Sequence, residues 1–244
     1  GLGGLLFATI GLLPTTFIIL ILYIISSFLM LFLPKAEVEV LESETNLEIL
    51  LKGWKLVARD SRLRLFVSAN LLEIFSNTIW VSSIILVFVT ELLNKTESYW
   101  GYSNTAYSIG IIISGLIAFR LSEKFLAAKW ESILFPLVAM AIVTLTILYF
   151  PNAQMFLVFS ALVGMLSQLK EVPESVFLQE TVEENNLVNV YSVLEVISTL
   201  AFSVFVLLMS YITENFGISI SFWLSAICLM IEAILIYIRR DYFR

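Results

Sequence analysis

The sequence predicts an all-α integral membrane protein with about seven transmembrane helices, and three observations carry that prediction. Hydrophobic residues fill 59% of the 244 positions and charged residues only 14%, whereas a soluble domain carries roughly a quarter charged residues. Apolar runs such as FIILILYIISSFLMLFL at 17–33 approach the ~20 residues that a helix needs to cross a bilayer. These runs lack the polar–apolar alternation, over about ten positions, that marks a barrel strand. The backbone must therefore satisfy its hydrogen bonds within helices.

In chain order, residues 2–13 form the tail of one span entering a turn at Pro14. Seven spans follow, at 15–33, 63–92, 102–120, 132–150, 153–169, 188–212 and 218–238. The opening GLGGLLFATIGLL has neither an initiator methionine nor a basic start, and reads as the interior of a longer chain. The expected organisation is the end of one span plus a complete span over 1–33, a cytoplasmic linker over 34–62, and a six-helix bundle over 63–244. Lys35, Lys52, Lys55, Arg59, Arg62 and Arg64 lie between the first two spans, and Arg120, Lys124 and Lys129 between the third and fourth. Lys170 precedes the sixth, and Arg239, Arg240 and Arg244 follow the last. Alternating crossings put all of these on one side and only Lys95 on the other, so the first side is expected to be cytoplasmic, with the carboxy terminus inside.

The connection 34–62 begins with the acidic KAEVEVLESETNLE, a solvated linker. Its second half, NLEILLKGWKLVARD, sets Leu47, Leu50, Leu51, Trp54 and Val57 at helical spacing opposite lysines and arginines. Such an amphipathic helix lies on the inner membrane surface or packs against the base of the bundle.

Several chemistries drop out. There is no histidine, which removes imidazole catalysis and histidine-based metal sites. The single cysteine, Cys228, forms no internal disulfide. The phosphate-binding pattern Gly-x-x-x-x-Gly-Lys is absent. The two aspartates, Asp60 and Asp241, lie at span edges, so an intramembrane enzyme is not expected. Net charge is −6 and basic residues are few, which argues against nucleic acid as a partner. No cofactor or metal is expected; the lipid bilayer is the surrounding medium.

What remains is carboxylates inside apolar helices. Glu73, in NLLEIFSNTIW, lies nine residues past Arg64, or ~13 Å along a helix. A charge that deep costs about 3 kcal/mol or more and normally faces a cavity or a partner. Asn70, Glu73 and Asn77 share one helix face that Trp80 continues. A carboxyl so placed suits a proton carrier; the plainer alternative is a protonated acid hydrogen-bonded to a neighbouring helix. Glu195 sits between Ser192 and Thr199 on a similar face. Glu171 reads as interfacial and solvated, and Glu232 as an ion pair with a nearby arginine or a neutral packing group. Ser160, Gly164, Ser167 and Gln168 form a polar stripe that lines a pathway or knits two helices. Trp80, Tyr107 and Phe202 offer an aromatic surface for an apolar substrate, although aromatics are common throughout this chain.

The third span carries Gly101, Gly110 and Gly115, small residues that permit close helix approach. Gly115, Arg120 and Lys124, in GLIAFRLSEK, resemble the cytoplasmic loop signature of the major facilitator superfamily, Gly-x-x-x-Asp-Arg-x-Gly-Arg-Arg. Phe119 stands where the acid would be and Ser122 where the second glycine would be. LLKGWKLVARDSRLRLF and VPESVFLQETVEENNLVNVYS are similar to segments of the macrolide-efflux and enterobactin-exporter branch of that superfamily. Relatives in that branch carry Arg-x-Arg just before the eleventh helix, where this chain has Leu187 and Asn189. The resemblance covers nearly the whole chain. It implies the last seven helices of a twelve-helix fold, an amino-terminal bundle in the native chain, and a bacterial multi-pass cell-membrane location. It further implies a secondary active exporter of lipophilic or amphiphilic molecules, such as a macrolide-like drug or a siderophore, by proton antiport. Glu73 and Glu195 would then border one central cavity. The alternative is a non-transporting membrane scaffold that docks a partner through residues 37–58.

Overall fold

A computed structural model describes residues 10–32, 46–80 and 82–243, leaving aside the side chains of 12, 46–50, 82, 83 and 121–127. Most of the acidic linker, at 33–45, and the opening stretch 1–9 lie outside the described residues. The chain divides into two compact units, Gly1–Thr45 and Asn46–Arg244. The first contributes helix α1, Leu12–Met30. Pro14 falls in its first turn, where a missing N–H costs no helical hydrogen bond. Apolar residues cover every face of α1, as a membrane helix requires.

The second unit is built of helices joined by short connections, with no strand among its described residues. Helix α2, Asn46–Arg59, is followed by α3, Ser61–Asn77. Between them, Asp60 caps α3 by accepting a hydrogen bond from the Arg62 amide at 2.7 Å and another from its guanidinium at 3.2 Å. Partial burial pushes the Asp60 carboxyl up, but these bonds and the Arg62 charge hold it below its ordinary value. A 3₁₀ turn at Thr78–Trp80 interrupts the span, which resumes as α4, Ser82–Val87, and a π-helical turn at Phe88–Leu92. Then come α5, Ser98–Ala127; α6, Lys129–Tyr149; α7, Ala153–Thr181; α8, Glu184–Phe216; and α9, Ile218–Ile238.

The fifth predicted span ends too early at 169. Helix α7 runs on through Pro173 to Thr181, because Leu166, Leu169, Pro173 and Phe177 continue one buried face at helical spacing. Lys170, counted above with the loop charges, is therefore a fully buried residue inside a helix.

Backbone contact between α5 and α7 organises the bundle. A Cβ on Gly110 would overlap the Ala161 carbonyl, and one on Gly164 would overlap that of Tyr107. Gly101 and Gly115, by contrast, have open space beside them, so of the three α5 glycines only Gly110 serves close approach. Helix α9 packs against α3, α6 and α8. It joins α3 through Ser76 and Ser225, whose hydroxyls each donate to the other's backbone carbonyl at 3.1 and 3.0 Å. Rings of Trp80, Phe156, Phe88 and Phe222 follow one another at centroid spacings of 6.3, 5.4 and 5.0 Å through the core. At the base, Gly53 of α2 lies against Asn189 and Val193 of α8, with Val57 buried beside Leu63 and Leu178. That face of α2 packs on the bundle, while Leu51 and Trp54 stay exposed.

Candidate functional site: a buried lysine among three glutamates

Charge enters the interior of the second unit from three helices. Lys170 of α7 is completely buried, and its Nζ donates to Glu73 Oε2 of α3 and to Glu174 Oε1, each at 2.6 Å. Lys170 and Glu174 are an i,i+4 pair on one face of α7. Glu232 of α9 approaches from the third side: one carboxylate oxygen from each of Glu73, Glu174 and Glu232 lies within 4.8 Å of the others. Glu232 is fully buried, and neither of its oxygens has a hydrogen-bond partner among the described residues.

Three carboxylates and one ammonium sum to −2 when all are ionised. An unbalanced charge in a dry interior costs several kcal/mol per ion, so the cluster must gain positive charge or ionise incompletely. The Lys170 ammonium already takes the place of a cation between Glu73 and Glu174. Glu232 is left beside these two carboxylates with no hydrogen-bond donor of its own among the described residues.

One helical turn away lies a cavity of about 250 Å³, bounded in part by Asn77, Trp80, Trp100, Asn104, Tyr107 and Ser167. Asn77 follows Glu73 by four residues and Ser167 precedes Lys170 by three, so helix geometry stacks the cavity on the cluster. Tyr107 of α5 and Ser167 of α7 face the cavity from opposite helices, close to where the Tyr107 backbone lies against Gly164. Trp80 stacks on Phe156 with ring planes only 10° apart.

Of the residues singled out from sequence, Asn77, Trp80, Tyr107 and Ser167 line this cavity, and Ser160 joins them. Asn70 lies outside it, accepting a hydrogen bond from Ser198 of α8 at 3.0 Å. Gln168 donates to the exposed Glu171 at 3.0 Å. Ser192, Glu195 and Thr199 share an exposed face of α8. Glu195 is thus in neither the cluster nor the cavity. Gly115 and Arg120 are exposed on α5; Lys124 is in the same helix, its side chain outside the description. Glu232 lies beside the carboxylates of Glu73 and Glu174 and, among the described residues, has no arginine partner. Lys170 and Glu174 were missed, although their i,i+4 spacing beside Ser167 was a readable signal once α7 was allowed to continue.

Residues 66–244 match the model of the Major Facilitator Superfamily. With nearly three quarters of its length matched, this chain of apolar helices belongs to that superfamily. It is 28% identical to "Uncharacterized MFS-type transporter YfmI" of Bacillus subtilis (strain 168) over 236 residues, covering 96% of this chain and 58% of that protein. A second relative, "Uncharacterized MFS-type transporter YjbB" of the same organism, is 28% identical over 167 residues, covering 68% of this chain and 41% of that protein. The chain therefore spans about three fifths of YfmI and two fifths of YjbB. No solved structure matches significantly.

Proposed function

We propose that the chain is the carboxy-terminal part of a secondary active exporter of lipophilic or amphiphilic small molecules, driven by proton antiport. Its six-helix unit would rock against a second bundle in a bacterial cell membrane, with the carboxy terminus in the cytoplasm. The observation that carries this reading is the Lys170 cluster. Three carboxylates gather in the interior and two of them bind the one ammonium, an arrangement suited to taking up and releasing protons as its surroundings open and close. Membership of a transporter superfamily supports the reading, and the lack of a phosphate-binding motif leaves an ion gradient as the energy source. Glu73 is the coupling residue of choice because, among the described residues, it is the one that links α3 to the lysine of α7. The test is efflux of a fluorescent lipophilic dye from cells that express the protein. Glu73→Gln is expected to abolish proton-coupled efflux while leaving the amount of membrane-inserted protein unchanged. Undiminished efflux from the variant would end the proposal.

A further inference from the structure

We propose that the cavity walled by Trp80, Trp100 and Tyr107 is a binding site for a lipophilic monocation, an aromatic or alkylated ammonium, that competes electrostatically with protons on the Glu73–Glu174–Glu232 cluster. As an account of cargo this rests on the exporter reading; as a binding site it stands by itself.

The wall chemistry is the first argument. Three aromatic rings border the cavity together with asparagine carboxamides and serine hydroxyls, and none of the lining residues is cationic. A cation over the face of such a ring is attracted by the ring quadrupole, most when it is desolvated. Trp80 is well fixed for this role. Its ring stacks on Phe156, which in turn packs on Phe88 at 5.4 Å, and the same residue lines the cavity.

Charge is the second. The titratable and charged groups nearby are Glu73 on α3, Tyr107 on α5, Lys170, Glu171 and Glu174 on α7, and Glu232 on α9. Lys170 is engaged by two of the carboxylates, so the potential reaching the cavity is negative whenever the cluster lacks protons. Across one helical turn, at a protein-like dielectric, two unit charges still interact strongly enough to couple. An ammonium in the cavity therefore favours loss of protons from the cluster, and protonation expels the ammonium. Size is the third. About 250 Å³ falls just below the range of about 300–1,000 Å³ typical of drug-sized pockets. The cavity admits a small cation or the amine-bearing end of a larger amphiphile, not a whole macrolide-sized ring.

The test is direct binding of benzyltrimethylammonium to the purified protein in detergent, by calorimetry and by tryptophan fluorescence. Neopentylbenzene, its uncharged isostere, serves as the control. The cation is expected to bind at least about tenfold tighter than the isostere, and to tighten as pH rises through the range in which the cluster ionises. Trp80→Leu is expected to weaken it about tenfold, with Trp80→Phe restoring most of the loss. Glu171→Gln, at an exposed position, keeps the fold and is expected to weaken binding only slightly, whereas Glu73→Gln flattens the pH dependence. Equal binding of the isostere, or pH-independent binding of the cation, overturns the inference. Cation binding with no proton-coupled efflux leaves the site standing and removes the exporter reading. Proton-coupled efflux of uncharged lipophiles without cation binding does the reverse.

Discussion

At the residue scale the decisive group is Lys170. It is the ammonium among three carboxylates, and it is fully buried. Breaking a buried pair by removing one partner costs about 3–5 kcal/mol. Lys170→Met is therefore expected to lower the thermal midpoint sharply in detergent. Glu232→Gln is expected to differ from the parent by about 1 kcal/mol or less, because neither oxygen has a hydrogen bond to lose. Thermal melting of the two variants side by side checks both; equal, large losses would mean that Glu232 is an ionised partner of the lysine. Glu73 was legible from sequence because an acid stands out in an apolar run. Lys170 was not. Flanked by Gln168, Glu171 and Pro173, it has the look of a span's polar edge. Only the third dimension reveals that α3 and α9 bring carboxylates to it.

At the scale of elements, the glycines of α5 separate two roles that look alike in sequence. In an exposed helix interior, Gly→Ala gains up to about 1 kcal/mol, and Gly115→Ala is expected to follow that rule. Gly110→Ala places a Cβ on the backbone of α7 and is expected to destabilise by about 1–3 kcal/mol, as overpacking does. Chemical or thermal unfolding of the pair, with opposite signs, is the check. Element existence was readable throughout from apolar runs. Element length was not, because proline reads as a stop even where, as in α7, a packed face carries the helix through it. The 3₁₀ break at Thr78–Trp80 also went unseen, since hydropathy stays high across it and only backbone geometry marks it.

At the scale of the whole molecule, an ion-driven exporter predicts that collapse of the proton gradient by a protonophore abolishes dye efflux in intact cells. Depletion of ATP with the gradient held is expected to leave it intact. Efflux that follows ATP and ignores the gradient would exclude the proposed energy source. The all-α membrane architecture was evident from composition and apolar run length alone. The site was only half evident, because it is assembled from helices that lie far apart in the sequence: Glu73 and Lys170 are 97 positions apart.

That separation bears on how the protein is made. Synthesis proceeds from the amino end, so α3 enters the membrane with Glu73 well before the ribosome reaches Lys170, and Glu232 arrives last. For that interval the early carboxylate lacks Lys170, which α7 brings into the membrane together with Glu174. The cluster is complete only once the final span has carried Glu232 to the other two carboxylates.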